Sequence, residues 1–430
     1  MSPGFSTAGK STILFLQGPP SPFWYELADA FEHAGARTLR VNLCSADWLF
    51  WRRKGAINYR GSRKRWPDFL RDLIRRENIT HIIYFSDRFP YHAVGQQVAD
   101  EMGVQPLAVE FGYLRPGWLT LERGGMGVWS HFPDDPAAIH AIAGRCGPQP
   151  AEGFEAHKTS TELTFEVLFN LVNEYCAIYY PLYRSGRIGF ATFEYLSGLR
   201  HTLRRRLNEK ATAAGLADYY AGAHPFNLVP LQLQTDYQIR ENTDYKDQKV
   251  FLREIIRSFA QEAPAARHLL IKLHPLDSGQ IPWARIAHDL AEEFGVAGRV
   301  HCFDGGNLSL LIEKSSGVLV SNSTVGLMSI RALKPTIALG DALYNMPGLT
   351  HQGSLDAFWN SPDPVDPGLR DAFVTALAGT IQVRGSVYDK AGRIEACTAI
   401  VRRVLDGGVN GYGAFDDPPP RFFRRRRPFS

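Results

Sequence analysis

Short runs of aliphatic and β-branched residues alternate with longer amphipathic segments along most of the chain. In the first half, the short runs predict four strands, at residues 11–17, 37–43, 81–86 and 105–110. Helical periodicity fills the segments between them, and two of these segments end at Gly35 and Gly103, as helices often do. The pattern predicts a parallel sheet covered by helices on both faces.

A more helical stretch follows at residues 161–221, and the alternation of strands and helices then starts again. The second series predicts five strands, at residues 226–234, 268–275, 299–304, 317–323 and 335–340. Two such series predict an α/β fold with two Rossmann-like domains facing each other across a cleft. Ligands of such folds bind outside the carboxyl ends of the strands, so we expect the site residues directly after strands.

The length of 430 residues exceeds the usual size of a single core, which favours two domains. We place an N-terminal Rossmann-like domain at residues 1–222 and a C-terminal Rossmann-like domain at 223–385. A helix at 386–411 comes next, and packing back onto the N-terminal domain is one option for it. Residues 412–430 are rich in Pro and Arg, which predicts a disordered tail.

Composition narrows the class of protein further. No apolar run approaches the roughly 20 residues of a membrane-spanning helix, and the first apolar run is typical of a strand rather than of a signal peptide, so we predict a cytoplasmic protein. The five cysteines are scattered without a CxxC pair, which predicts reduced thiols. The formal charge of +4 is too small to indicate a nucleic-acid partner, although residues 51–66 and 421–430 form basic runs.

Charged, aromatic and glycine residues are concentrated after the fourth predicted strand, in the segment VEFGYLRPGWLTLERGG. Glu110 ends that strand. Arg115 and Arg123 suit an acidic substrate because guanidinium groups match carboxylates, and Tyr113 and Trp118 offer rings on which a sugar can stack. The alternative is that an Arg and a Trp brace a long loop.

A His-Pro pair ends the predicted strand in the segment IKLHPLD. Pro275 stops the ladder of backbone hydrogen bonds, and His274 can donate to a phosphate from the open end of the sheet. Lys272, on the same strand, is a further substrate-binding candidate. A structural His-Pro pair is the alternative, and a second pair at His224 shows that the motif is unspecific.

Four small polar residues follow another predicted strand, in the segment GVLVSNSTVGLMSIRAL. They are Ser321, Asn322, Ser323 and Thr324. Their hydroxyl groups and free backbone N–H groups at a helix N-terminus form a ready site for a phosphate. Plain helix capping, which needs only one of the four, is the alternative.

Asp236 follows the leucine-rich strand LVPLQLQ, in the opening turn of the second domain. A carboxylate at that position can be catalytic, a helix cap or a surface charge. Gln234, two residues earlier, is a substrate-binding candidate in the same turn.

Six segments occur in the order found in bacterial capsule polysaccharide biosynthesis proteins, and the resemblance spans about residues 12–340. They are QGPPSPFWYELADAF, FSDRFPYHAVGQQVADEMG, EFGYLRPGWLTLERGG, LQLQTDYQI, KLHPLD and SNSTVG. The chain resembles in particular the single-module, KpsS-type β-Kdo transferases. The resemblance implies a GT-B-like glycosyltransferase that uses CMP-β-Kdo as its donor substrate, with no metal and no cofactor.

The resemblance also implies roles for the candidates. Asp236 falls in the position of the nucleophile of a retaining mechanism, and Glu110 in that of the acid/base carboxylate. His274 falls in the position that binds the donor phosphate, with help from Ser323 and Thr324. A retaining reaction needs two inversions, which suits such a pair of carboxylates, and an imidazole with a helix N-terminus can stabilise departing CMP without Mg²⁺.

In the pathway that the resemblance implies, Kdo is added to a (lyso)phosphatidylglycerol-type lipid to begin the linker that carries the capsule chain. Because Kdo carries a carboxylate, Arg115 and Arg123 have a task beside it. We expect a peripheral protein of the inner membrane, with the anionic lipid acceptor and other capsule biosynthesis and export proteins as partners, and the basic runs can rest on anionic lipid. Two alternatives stay open: a non-catalytic capsule assembly or export factor that binds lipid-linked glycan, and a transferase for another nucleotide sugar.

Overall fold

The structure, a computed structural model, describes residues 11–51, 53–150, 153, 159–184, 190–234, 245 and 247–424. By its internal contacts the chain divides into two units. The first unit comprises the residues up to His131 together with Cys146–Ala191 and Leu377–Phe415. The second comprises Phe132–Arg145, Thr192–Ala376 and the residues from Asp416 onward.

The described strands and helices follow one another in the alternation that the sequence predicts. The strands are β1 (Thr12–Phe15), β2 (Arg37–Asn42), β3 (Ile57–Asn58), β4 (His81–Phe85), β5 (Gln105–Phe111), β6 (Trp118–Arg123), β7 (Phe226–Pro230), β8 (His268–Lys272), β9 (Val300–Phe303), β10 (Gly317–Val320), β11 (Thr336–Ala338) and β12 (Gln382–Arg384). The α-helices are α1 (Phe23–His33), α2 (Asp47–Phe50), α3 (Trp66–Glu77), α4 (Pro90–Glu101), α5 (Pro136–Cys146), α6 (Thr159–Tyr175), α7 (Ala191–Tyr220), α8 (Gln248–Glu262), α9 (Trp283–Glu293), α10 (Leu308–Lys314), α11 (Thr324–Arg331), α12 (Leu355–Phe358), α13 (Pro367–Thr380), α14 (Lys390–Leu405) and α15 (Pro420–Arg424). Every strand predicted from the sequence is present, with shifted ends.

The first unit is built on a seven-stranded sheet in the order β12-β6-β5-β4-β1-β2-β3. β1 pairs in parallel with β2 and β4, and β4 pairs in parallel with β5. Side chains alternate along a strand, so Ile13 and Phe15 join one hydrophobic core with α1, while Leu14 and Leu16 join another with α3 and α4. Helices thus cover both faces of this sheet.

The end of the chain completes the first unit. β12 pairs antiparallel with β6, where Gln382 lies opposite Thr120. α14 packs on α1, and there Arg393 donates to both carboxylate oxygens of Glu26, at 2.7 and 2.9 Å. Each unit is therefore assembled from several stretches of the chain, whereas the predicted domains at 1–222 and 223–385 are continuous. The packing of α14 on α1 corresponds to the option given above for the helix at 386–411.

The second unit contains a five-stranded sheet in the order β11-β10-β7-β8-β9, and all of its strand pairs are parallel. Its core joins apolar residues of β7, β8 and β10 to α8 and α9, including Phe251, Ile255 and Leu290. The predicted α/β class with two Rossmann-like units, the composition of a GT-B-like fold, is confirmed.

The predicted disorder of the C-terminal tail is wrong for residues 412–424. Arg421 on α15 is buried, and its guanidinium donates to the backbone carbonyls of Phe132, Pro133 and Leu343. The Pro- and Arg-rich composition suggested disorder, but carbonyl acceptors from distant parts of the chain give Arg421 a buried position. Residues 425–430 lie outside the described part.

The basic run that follows α2 is partly built into the first unit. Trp51 and Trp66, at its two ends, are buried, and Arg53 pairs with Asp29 and Glu32. The aromatic rings at its two ends therefore belong to the core, whereas Arg63, Lys64 and Arg65 of the run are exposed. Within the described ranges, no helix has both the length and the apolar character needed to cross a bilayer.

Candidate functional site

Glu110 lies near the carboxyl end of β5, at the edge of the first sheet where its parallel strands end. Its side chain is half-buried, and one carboxylate oxygen accepts a hydrogen bond from the backbone N–H of Phe111 at 3.0 Å. The other oxygen accepts a hydrogen bond from the Ser86 hydroxyl. Two donors therefore fix the orientation of this carboxylate.

Ser86 is itself anchored to the core of the first unit. It follows β4 in the left-handed backbone region, with a φ of 64°, and its carbonyl oxygen lies 2.8 Å from Nδ1 of His92. His92 is fully buried, which lowers its pKa to about 4, so its ring is neutral at pH 7 and Nδ1 carries the donated proton. Neither residue was a candidate from the sequence, although Ser86 ends a predicted strand and that position could have identified it.

Tyr113 is tied into a buried network. Its hydroxyl lies 3.4 Å from Oε1 of Glu122, which is fully buried and also accepts a hydrogen bond from the Ser130 hydroxyl at 2.5 Å. The backbone N–H of Tyr113 donates to the side-chain oxygen of Gln382 at 2.8 Å. These contacts give the tyrosine a structural task, and its contact with substrate stays a prediction.

The structure does not bring the two candidate arginines together. Arg115 is exposed before the start of β6, with its guanidinium 5.1 Å from the centre of the Phe111 ring and its Nε donating to the Gly112 carbonyl at 3.1 Å. Arg123 is the last residue of β6, and its guanidinium lies 3.7 Å from the centre of the Phe415 ring. Arg123 therefore fits the alternative in which an arginine braces the structure. Arg115 lies close to Glu110 in the sequence, and its contact with substrate stays a prediction.

Lys272 and His274 lie at the carboxyl edge of the second sheet, at the end of β8 and in the loop that follows. Lys272 is buried, and burial lowers its pKa against the opposing effect of Asp304. Nδ1 of His274 accepts a hydrogen bond from the backbone N–H of Leu276 at 3.1 Å. A neutral ring in this arrangement carries its proton on Nε2, the nitrogen suited to donate to a phosphate.

The four polar residues after β10 form the turn into α11. Ser323 is the N-cap, and its Oγ accepts a hydrogen bond from the backbone N–H of Val325 at 3.2 Å, as the capping alternative requires. The hydroxyl of Ser321 is buried without a hydrogen-bond partner among the described residues, and capping does not use it. Leaving such a group unpaired costs about 1–3 kcal/mol, so Ser321 is the best ligand-binding candidate in a turn that also contains Asn322 and Thr324.

The candidate nucleophile Asp236 lies outside the described residues, and its role stays a prediction. Gln234, the described residue nearest to it in the chain, accepts a hydrogen bond from the backbone N–H of Gln248 at 3.1 Å. The buried side chain of Gln248 bonds both the N–H and the carbonyl of Gln232, at 3.1 and 2.6 Å. The segment after β7 is thus joined to the first residue of α8, and the sequence analysis missed Gln248.

Helix α7 brings further side chains to the carboxyl edge of the second sheet. His201 Nε2 lies 3.0 Å from the carboxylate of Asp304, which directly follows β9. Arg205 donates to the carbonyl of Pro275, the residue after His274, at 3.0 Å. The helical pattern predicts this helix. It does not indicate that the helix contacts Asp304 and Pro275, because these residues are far from it in the chain.

None of the five cysteines forms a disulfide. In the part of the chain that the structure describes, no group of three or more His, Cys, Asp or Glu side chains could hold a metal ion. A reaction without a metal or cofactor stays a prediction.

Two α/β units, one built on a mostly parallel sheet and the other on a fully parallel sheet, give the chain a GT-B-like fold class. The model of the family described as capsule polysaccharide biosynthesis protein matches residues 80–388, more than half of the chain. The chain therefore belongs to the capsule polysaccharide biosynthesis protein family.

Two capsule proteins are similar in sequence to most of the chain. It is 29% identical over 384 residues to the capsule polysaccharide export protein KpsS of Escherichia coli, covering 89% of this chain and 97% of that one. It is 30% identical over 390 residues to the capsule polysaccharide modification protein LipB of Neisseria meningitidis serogroup A, covering 88% and 92%. Among solved structures, the β-Kdo 2,7 transferase KpsC of Thermosulfurimonas dismutans matches 92% of this chain and 99% of its own, with a TM-score of 0.45 and 14% identity.

Proposed function

We propose that this capsule protein is a retaining β-Kdo transferase that moves Kdo from CMP-β-Kdo to a (lyso)phosphatidylglycerol-type lipid at the inner-membrane surface. The observation that supports it most is the position of Glu110, a half-buried carboxylate that Ser86 and the Phe111 N–H orient at the edge of the first sheet. Membership of the capsule family supports the pathway, and the sequence resemblance supplies the donor and the acceptor.

The reaction proceeds by two displacements at the anomeric carbon of Kdo. Asp236 attacks this carbon, the bond to the CMP phosphate oxygen breaks, and CMP leaves as an anion with both electrons of that bond. A lipid hydroxyl then attacks the same carbon from the opposite side and releases the Asp236 carboxylate. Two inversions give net retention.

Glu110 accepts the proton of the attacking lipid hydroxyl. Holding its carboxylate with two donors reduces the freedom that it must lose in the transition state. On the donor side, Nε2–H of His274, the Ser321 hydroxyl and the N-terminus of α11 stabilise the negative charge that develops on CMP. Arg115 is the arginine that we assign to the Kdo carboxylate.

Release of CMP from CMP-β-Kdo in the presence of phosphatidylglycerol tests the proposal. Wild type should release CMP, and Asp236→Ala should lose transfer while keeping the wild-type circular dichroism spectrum. Asp68→Ala removes an aspartate with an 81% exposed side chain on α3 and should behave as wild type. Wild-type turnover by Asp236→Ala would remove the mechanism.

A non-catalytic export factor that binds lipid-linked glycan is the second candidate, because the Escherichia coli relative carries the name of an export protein. Titration calorimetry with CMP, UDP and GDP separates the candidates. The Kdo transferase should bind CMP in preference to UDP and GDP. An export factor should bind none of the three, and a preference for UDP would identify a transferase for another nucleotide sugar.

A further inference from the structure

Helix α7 exposes an apolar stripe in the second unit. Five large apolar side chains recur at spacings of three and four residues, which places them on one helix face. They are Phe193, Leu196, Leu199, Leu203 and Leu207, with exposed fractions from 53% to 83%. At least 53% of each of these side chains is exposed, so the stripe is not part of the core of the unit.

Side chains on a different face of α7 attach the helix to loops of the second unit. Ser197 donates to the carbonyl of Ser278 at 3.0 Å, and His201 and Arg205 make the contacts with the loops after β9 and β8 described above. At about 100° per residue, these three side chains point away from the apolar stripe. The helix can thus keep its contacts with the sheet while the stripe binds another surface.

Basic residues flank the stripe. Arg200 and Arg204 border it on one side, and Arg206 and Lys210 lie beside its C-terminal half. All four are exposed, and the acidic Glu209 lies outside this face. An apolar stripe with basic flanks is typical of a helix that lies in the plane of a bilayer, where lysines and arginines face anionic headgroups.

We propose that α7 docks the protein on an anionic lipid bilayer through this face. The charge pattern favours a bilayer over a second copy of the chain, because two copies joined through the stripe would bring their arginines together. This face is also separate in the chain from the basic runs identified in the sequence, of which Trp51, Trp66 and Arg421 are buried while Arg63, Lys64 and Arg65 are exposed. The inference deepens the proposed function, because a lipid acceptor lies in the bilayer, but docking requires no reaction.

Cosedimentation of the full chain with vesicles, without any donor sugar, tests the docking. Wild type should bind vesicles that contain phosphatidylglycerol at least tenfold more tightly than vesicles of phosphatidylcholine alone. The double variant Leu203→Gln/Leu207→Gln should lose at least tenfold in affinity, and Arg200→Gln/Arg204→Gln should lose the preference for phosphatidylglycerol. The matched control is Leu163→Gln/Leu168→Gln, which changes exposed leucines of α6 and should bind as wild type.

Three outcomes would overturn the docking surface. They are unchanged vesicle binding by the α7 leucine variant, equal binding of wild type to both kinds of vesicle, and a wild-type dimer in sedimentation velocity that the α7 leucine substitutions dissociate. A water-soluble short-chain phosphatidylglycerol acceptor separates docking from catalysis. An α7 variant that releases CMP with this acceptor but loses vesicle binding supports docking, whereas a wild type that binds vesicles but never releases CMP contradicts only the proposed function.

Discussion

Replacing His92 with asparagine tests how one buried ring couples pH to the stability of the first unit. His92 is fully buried, its Nδ1 lies 2.8 Å from the Ser86 carbonyl, and burial lowers its pKa to about 4. Asparagine keeps an N–H donor close to the position of Nδ1 but does not titrate. The variant therefore removes the ionisable group with little change in hydrogen bonding.

The size of the effect follows from the pKa of His92 in the two states. Between the folded pKa of about 4 and the unfolded value of about 6.5, the unfolded chain binds more protons, so stability rises with pH. The contribution of His92 is complete above the unfolded pKa and is lost as pH falls toward the folded pKa. Between pH 7.5 and pH 5 the loss should be about 2 kcal/mol, and it should reach about 3 kcal/mol below pH 4.

Urea unfolding at pH 7.5 and pH 5, followed by tryptophan fluorescence, measures this difference, because Trp24 and Trp66 lie in the cores of the first unit. His92→Asn lowers stability at pH 7.5 through the space it leaves, but its stability should depend on pH by about 2 kcal/mol less than that of wild type. His33→Asn, at an exposed position on α1, should keep the wild-type dependence. An equal pH dependence of wild type and His92→Asn would refute the reasoning.

Three further predictions, the last with a matched control substitution, test other parts of the structure. Ser321→Ala should weaken CMP binding about tenfold in calorimetry, because a hydrogen bond to a charged group contributes about 1.5–3 kcal/mol, and unchanged affinity would show that this hydroxyl does not contact the nucleotide. Its thermal midpoint without ligand should equal or exceed that of wild type, because the substitution removes an unpaired buried hydroxyl. Arg421→Met should lower the free energy of unfolding by about 2–4 kcal/mol because buried carbonyls lose their donor, and a loss under about 1 kcal/mol would contradict this. Gly326→Ala should cost about 1–3 kcal/mol, because a Cβ there would lie 2.2 Å from the Tyr344 hydroxyl. Gly408→Ala should be close to neutral, because the heavy atom nearest to its Cβ would lie 3.7 Å away, and equal stability of the two variants would show that the first site relaxes.

Most of the parallel strands were predictable because they contain runs of apolar residues, as in TILF of β1 and GVLV of β10. The sequence pattern did not predict β3, β6 and β12. A short strand such as Gln382–Arg384 is defined by its pairing with a distant strand rather than by its own pattern of residues. The tail was predicted from composition alone, and composition does not reveal that Arg421 finds buried acceptors elsewhere in the chain.

The candidate site was predictable where it depends on strand ends. Glu110, His274 and Ser321 were chosen as candidates because ligands of such folds bind at the carboxyl ends of parallel strands, and the structure places each of them at such an end; their roles stay predictions. Ser86 and His92 were missed because the left-handed backbone of the serine and the burial of the histidine depend on tertiary contacts. Arg115 and Arg123 look alike in the sequence, and only the hairpin of β5 and β6 shows that they lie at opposite ends of β6.

Transfer by Glu110→Gln tests most directly whether the carboxylate at the edge of the first sheet takes part in the reaction. Glutamine keeps one oxygen as an acceptor but cannot take up a proton at neutral pH. Because general acid–base catalysis contributes about 10²–10⁴-fold, kcat for CMP release should fall by a factor in that range, while CMP affinity and urea stability stay near those of wild type. Glu101→Gln, which changes an exposed glutamate at the end of α4, should turn over as wild type does. A wild-type kcat in Glu110→Gln would contradict the assignment of Glu110 as the group that takes up the proton.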